Sequence, residues 1–216
     1  MSSARATGSS SGIPVGLRRV PKQARSRARV EAAISEVVRM IGEEPDRDIT
    51  TADVAARIGI PVGSLYEYFE DVPSIVDAAV ARMLDRHDEL LRVATSSSVS
   101  SVHELIDVMF DAYLRLYTEQ PAFVLVRNSS YWNEHHRRWL IDRVEVFLAD
   151  VVTSMLRAES SSEDPALGRR LALIFAAGDA MLQRILRDGL EPDPVLASDA
   201  RTTVKFMFDL VTNPVS

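Results

Sequence analysis

Cysteine is missing from all 216 residues. Disulfides, thiolate metal sites and cysteine nucleophiles are therefore excluded together, and a reducing compartment, the cytoplasm, is the expected location. Long apolar runs are missing too: Arg, Asp or Glu interrupts every hydrophobic stretch well before the roughly 18 residues that a membrane-spanning helix needs. No membrane partner is expected. Nor is there a Gly-rich phosphate loop, a nucleophile elbow or a carboxylate pair with a suitable partner, so no catalytic residue, metal or cofactor is expected. Histidine is scarce, and His135 and His136 are adjacent, which on a helix separates them by about 100° and prevents the chelation open to an i, i+4 pair. Beside Arg137 and Arg138 they read as a solvated turn, while His87 and His103 stand isolated. Asn128, Ser129 and Ser130 match a glycosylation sequon, which carries meaning only in a secreted protein.

One further absence is local. The first 29 residues contain no acid and seven bases, Arg5, Arg18, Arg19, Lys22, Arg25, Arg27 and Arg29, which leaves 18 bases against 31 acids for the remainder. The modest net charge of −6 thus divides into +7 at one end and −13 over the rest. A basic end attracts polyanions and an acidic body keeps the other surfaces away from them. The same segment also has the Ser-rich, acid-poor look of a transit peptide, but no amphipathic pattern runs through it and Ser9 to Gly12 is linker-like. A disordered basic arm over 1–20 is the expectation.

With 46% hydrophobic and 26% charged residues, the chain has enough apolar surface for a real core and one or two domains. Val30, Ile34, Val37, Val38 and Ile41 recur at helical spacing and predict a helix over 22–43. After a breaker segment, Thr50 and Asp53 have the spacing of a capping box, so a second helix should start there, bury Val54, Ala55 and Ile58, and stop at Gly59. Pro61 suits the first position of a third helix, over 62–69. Further helices are expected over 73–93, 102–119, 121–126, 132–159, 164–188 and 192–210, about nine in all, with Ser-rich or Pro/Gly-rich breaks between them. No alternation of the kind that makes strands is present. The fold class is all-α, with a helix-turn-helix domain over 21–72 and a helical domain over 73–216.

The segment that carries function is 49–75. A helix, a tight Gly-containing turn and a second short helix form the unit that lays one helix across the DNA backbone and inserts the other in the major groove. Small Ala55 lets the two helices approach, Leu65 and Phe69 can seal them against Val54 and Ile58, and Val62, Ser64, Tyr66, Glu67 and Tyr68 are left for the outside. Two outward tyrosines are hard to explain by packing, since a buried phenol needs a partner, and phosphate is a natural one.

Thr50, Asp53, Val54, Ala55, Gly59, Ile60, Pro61, Val62, Gly63, Ser64, Leu65, Tyr66, Tyr68 and Phe69 stand at the positions of a pattern. It runs T, two residues, D-I-A, then G-V-S-K-G-T-L-Y, an aromatic pair and F, and over about 22–80 the chain resembles the TetR family of transcriptional regulators. The resemblance implies a homodimer bound to a double-stranded DNA operator, probed by Lys22, Arg25, Arg27, Arg29, Thr50, Thr51, Pro61, Val62, Gly63, Ser64, Tyr66, Glu67 and Tyr68. Val62 and Val72 replace lysines that commonly serve phosphates in that family, which shifts the electrostatic work to the N-terminal bases. Two roles are open to Glu67: accepting from a cytosine amino group, or repelling phosphate in wrong registers. Val62 can touch a thymine methyl, and Arg18 and Arg19 can reach a minor groove as an arm.

For the body, the resemblance implies dimerisation through the last two long helices and a small-molecule effector whose binding releases DNA. Leu167, Leu171, Ile174, Phe175, Gly178, Leu182 and Ile185 form one apolar stripe, and Phe206, Met207, Leu210 and Val211 form another, serving as intramolecular core, as dimer interface, or both. The candidate effector lining is Met109, Tyr113, Tyr117, Phe123, Arg127, Trp132, Trp139, Phe147, Phe175 and Met181. Two rival readings are an all-α carrier or enzyme with an incidental basic N-terminus, and a helical module that binds protein partners; the tyrosine pair after a capped helix and Gly turn argues against both.

Overall fold

A computed structural model describes residues 15–96, 99–119, 121–142, 146–159, 166–186 and 192–212, without the side chains of 91, 93–96, 146–148 and 157–159. Among the described residues there are ten helices and no strand: α1 Ala24–Glu43, α2 Thr51–Arg57, α3 Val62–Tyr66, α4 Val72–Ser96, α5 Val102–Glu119, α6 Pro121–Arg127, α7 Glu134–Leu140, α8 Val146–Glu159, α9 Leu167–Leu186 and α10 Pro194–Thr212. The order is the expected one. The single helix expected over 132–159 is described as two, α7 and α8. None of the helices is long and apolar enough to cross a membrane.

The chain divides into two compact units, Met1–Met83 with Leu125–Asn133, and Leu84–Val124 with Glu134–Ser216. In the first, the apolar stripe of α1 is buried at Val30, Ala33, Ile34, Val37, Met40 and Ile41, and Val54, Ala55, Leu65, Phe69, Ile75 and Val76 complete the core. Expulsion of this surface from water is the main force holding three short helices together, since none would be stable alone. Charge then fixes α2 on α1. Arg57, in the last turn of α2, donates to Glu43 at 2.8 Å and lies 3.5 Å from Glu36, and Arg39 donates to Glu36 at 3.0 and 2.6 Å. Arg82 of α4 pairs with Glu31 of α1, with one bond at 2.7 Å.

In the second unit, α9 packs on α8 and α10, and α10 packs on α5. Leu171, Ile174, Gly178 and Leu182 of the expected α9 stripe are buried within the unit, with Val204 of α10 lying over Gly178. The α10 stripe divides differently: Val204 and Phe208 are buried, whereas Phe206 and Leu210 face outward. Along α5 and α10, three successive turns carry polar pairs. His103 meets Asp209 at 2.8 Å, Asp107 meets Lys205 at 2.6 Å, and Asp111 pairs with Arg201. His103 is thus a member of this polar series rather than isolated.

The Glu36 carboxyl is held below the ordinary glutamate range, first by the hydrogen bonds from Arg39 and then by Arg57. A carboxyl lowered by folding stabilises the fold above its unfolded value and loses that contribution as pH falls through the lower folded value. Glu36→Gln is therefore expected to lower the denaturation midpoint at pH 7, and the gap from the parent protein should narrow as pH falls past the ordinary glutamate value and close once it has passed the lower folded one. Melting curves at pH 7 and pH 3 check this.

Candidate nucleic-acid interface and ligand cavity

The expected capping box is present. The Asp53 amide donates to the Thr50 hydroxyl at 3.1 Å and the Thr50 amide donates to the Asp53 carboxylate at 3.0 Å. Hydrogen bonds from the Thr50 hydroxyl and amide hold the Asp53 carboxyl below the ordinary aspartate range. At the other end of α2, Gly59 takes φ +68°, and the Ile60 amide donates to Ala55 at 3.0 Å while the Gly59 amide donates to Ala56 at 3.3 Å. This Schellman pair satisfies two carbonyls that a helix end would leave open, and the left-handed residue it requires is natural for glycine. The chain is turned sharply into α3 as a result.

Pro61 proves to be the cap of α3 rather than its first residue, with φ −60° and ψ 136°. The helix is also shorter than expected, ending at Tyr66 instead of 69. Leu65 and Phe69 are buried beneath it, as expected. Outward lie Pro61, Val62 at 40% exposure, Gly63, Tyr66 at 47% and Glu67, with Ser64 half-buried. The Tyr66 hydroxyl meets the Thr51 hydroxyl at 2.8 Å, so the start of α2 and the end of α3 present their polar groups together. Tyr68 departs from its expected outward position, being only 6% exposed. The cause is the early end of α3: a turn in which the amides of Tyr68 and Phe69 both donate to Leu65 bends the chain inward.

The N-terminal arm covers that tyrosine. The Arg18 amide donates to the Tyr68 carbonyl at 2.8 Å, the Arg19 guanidinium donates to the Tyr68 hydroxyl at 3.2 Å and lies 4.7 Å from its ring centre, and Arg19 also pairs with Glu67. Gly16, at φ +77°, runs so close to α4 that a Cβ would fall 2.2 Å from the Ser74 carbonyl oxygen. The arm expected to be disordered over 1–20 is therefore seated from Gly16 onward; residues 1–14 lie outside the described residues. Arg19, Lys22, Arg25 and Arg29 line one wide depression together with Glu67 and Tyr68. Arg27 is not in it, because its guanidinium donates to the Lys22 carbonyl at 2.8 Å. Four cations against one carboxylate make this depression a natural seat for a polyanion.

Tyr131 belongs to this unit and went unnoticed in the sequence. Its hydroxyl accepts from the Ile49 amide at 2.8 Å and donates to the Arg47 carbonyl at 2.9 Å, immediately before the α2 cap. In the same segment Leu125 packs over Gly42, and the Ser130 hydroxyl lies 3.4 Å from the Pro45 carbonyl. A contact 82 residues away in sequence leaves no local pattern to read.

The second unit holds a cavity of about 60 Å³, partly open to solvent, between α5, α7, α9 and α10. Of the expected lining, Met109, Tyr113 and Phe175 face it. Tyr117 and Phe123 are fully buried, with rings stacked at 5.9 Å, and Tyr117 donates its hydroxyl to Asp179, which does line the cavity. Arg127 and Trp132 fall in the first unit, where the guanidinium lies 5.5 Å from the indole. Trp139 lies tilted against His135 with ring centres 4.4 Å apart, Met181 is half-buried on α9 away from the lining, and the Phe147 side chain lies outside the described ones. His135 and His136 form no solvated turn: both are on α7, and His136 is buried. His87 is fully buried, edge-on to Tyr113 at 4.8 Å. Asp179 was legible in principle, as the single acid within the apolar α9 run.

No family model and no curated relative matches the sequence. Solved structures do match. A TetR-family transcriptional regulator from Streptomyces coelicolor superposes with a TM-score of 0.64 at 20% identity, covering 88% of this chain and 100% of that one. The fatty acid degradation regulator FadR from Bacillus halodurans gives 0.59 at 12% identity, covering 91% and 98%. A protein from Rhodococcus sp. assigned to the TetR-family regulators gives 0.61 at 19%, covering 86% and 100%. The chain has the fold of TetR-family transcriptional regulators.

Tyr131→Phe removes the acceptor of the Ile49 amide and leaves both partners unmatched. A buried group so stranded costs on the order of 1–3 kcal/mol. Hydrogen exchange at the Ile49 amide is expected to accelerate about tenfold or more, since about 1.4 kcal/mol corresponds to a factor of ten; an unchanged rate would show that the bracket contributes nothing.

Proposed function

We propose that the chain is a sequence-specific regulator of transcription that binds a double-stranded DNA operator as a homodimer in the cytoplasm, acts as a repressor, and is released by a small molecule held in the second unit. It is not an enzyme on this reading. The single observation that carries it is the outward face of α3, with Val62, Tyr66 and Glu67 exposed over a sealed base, in the same unit as the depression formed by Arg19, Lys22, Arg25 and Arg29.

Each group then has a role. The cations neutralise phosphates and supply most of the affinity. Tyr66 and Thr51, already paired by their hydroxyls, are placed to share a phosphate oxygen, with Thr50 beside them at the α2 cap. Gly63 has open space around its Cα, so a backbone or base edge can come close. Val62 can meet a thymine methyl. Arg19 compensates Glu67, which lets a carboxylate stand near DNA without full repulsion. Tyr68, sealed under the arm, serves to hold that arm rather than to reach phosphate.

Dimerisation is supported by apolar side chains that the monomer leaves outside: Leu173 of α9 at 71% exposure, and Phe206 at 61% and Leu210 of α10. Such residues on the paired helices α9 and α10 fit an isologous interface, and a two-fold axis would set two copies of α3 on half-sites about one helical turn, or a multiple, apart.

Selection from a genomic DNA pool is expected to return short pseudo-palindromic sites. On such a site, changing Lys22, Arg25 and Arg29 together to Gln should lower the slope of log affinity against log salt by about 0.9 for each phosphate that is no longer neutralised; an unchanged slope would refute the assignment. Phe206→Glu is expected to shift the protein from dimer to monomer in sedimentation experiments and to abolish operator binding at concentrations that saturate the parent. A dimer that persists would move the interface elsewhere.

A further inference from the structure

Glu67 follows the last residue of α3, and the N-terminal arm meets it there. The Arg19 guanidinium donates to the Glu67 carboxylate and, at 3.2 Å, to the Tyr68 hydroxyl, with its central carbon 4.7 Å from the Tyr68 ring centre. One side chain thus grips two consecutive residues, Tyr68 buried and Glu67 with 49% of its side chain exposed. The grip has a fixed origin. The Arg18 amide donates to the Tyr68 carbonyl at 2.8 Å, and Gly16 passes α4 so closely that a Cβ would fall 2.2 Å from the Ser74 carbonyl oxygen and 2.7 Å from the Ala78 amide nitrogen. Non-bonded atoms do not approach that closely, and φ at Gly16 is +77°, so any larger residue there would lift the arm from its seat. An exposed glutamate otherwise samples several rotamers, and fixing one of them opposes binding. Held on Arg19, Glu67 is oriented beforehand, and as a pair with the guanidinium it presents little net charge to nearby phosphates. Its Oε2 takes the arginine, and a carboxylate offers about four acceptor sites, so it can accept from a base edge while keeping that bond.

We infer that Arg19 is a positioning residue for base reading: it fixes Glu67 as the acceptor for a cytosine amino group at one base pair of each half-site, which makes the seated arm part of the sequence-reading surface. The inference rests on the reading of α3 as the helix that enters the major groove, and it chooses between the two roles open to Glu67. A carboxylate is the side-chain partner suited to the cytosine N4 donor in that groove. Repulsion of phosphate, the other role, needs a carboxylate whose charge is left uncompensated, and Arg19 compensates this one.

The test measures affinity of the full chain for the duplex that the parent protein selects from a random pool, and for each single base-pair substitution of that duplex. The parent should prefer C·G at one position of each half-site by roughly tenfold, and Glu67→Ala should erase that preference there and nowhere else. Arg19→Gln and Gly16→Ala should each remove most of the same preference. Gly16→Ala is the sharper of the two, since it unseats the arm without changing any charge and so leaves the salt slope in place. Unchanged preferences at the other positions report that the variants are folded and dock in the same register; should one of the two lose all binding, the other decides. A preference that survives either arm substitution overturns the inference, because Arg19 is then a phosphate contact alone. A Glu67→Ala protein with every preference intact overturns it too, as does a Glu67-dependent preference for a pair other than C·G. If the parent selects no site, the regulator reading falls and takes the inference with it, an outcome distinct from the others.

Discussion

Where α2 begins decides what α3 can do. That starting point is gripped from two sides: locally by the reciprocal bonds of Thr50 and Asp53, and from a distant segment by the Tyr131 hydroxyl, which engages the chain just before the cap through Ile49 and Arg47. With its start fixed, α2 has only seven residues before Gly59 reverses the chain, so any displacement at the cap is carried almost rigidly into α3. The Arg57 bonds to α1 hold the remaining freedom, rotation of α2 about its own axis. A recognition surface of five residues has little internal stability, and its precision has to come from these neighbours.

The segment that supplies Tyr131 is notable for its place in the chain. Leu125–Asn133 belongs to the first unit although the residues on either side of it in sequence belong to the second. The segment that braces the α2 cap is thus continuous in sequence with α7, whose Leu140 lines the cavity.

Local signals were legible in the sequence because their physics is local. The Thr50 and Asp53 spacing, Gly59 as a left-handed terminator, and the buried stripe of α1 each involve residues within a few turns, and all appear as read except that Val38 of the stripe is half-buried. What was misread depends on tertiary closure. Tyr68 looked like a second exposed phenol because α3 was extended one turn too far, and the arm looked free because its seat on Ser74 and Tyr68 lies about 50 residues away in sequence. The candidate cavity lining fared similarly: aromatic residues at helical spacing describe a core, and only the packing of α5 against α9 separates Tyr113 and Phe175, which face the cavity, from Tyr117 and Phe123, which stand behind it. Asp179 is the reverse case, a residue whose chemistry was visible in an apolar run but whose importance depends on what it faces.

The polar series along α5 and α10 has a consequence for register. Each helix carries its members four residues apart, 103, 107 and 111 against 209, 205 and 201, so neighbouring pairs differ by one helical turn. Sliding α10 one turn in one direction would set Asp107 opposite Asp209; sliding it the other way would set His103 opposite Lys205. Either step keeps one attractive pair, Asp111 with Lys205 in the first case and Asp107 with Arg201 in the second, and gives up the other two. The series acts as a toothed edge that favours one alignment of the two helices, and with it one placement of Val204 in the wall of the cavity.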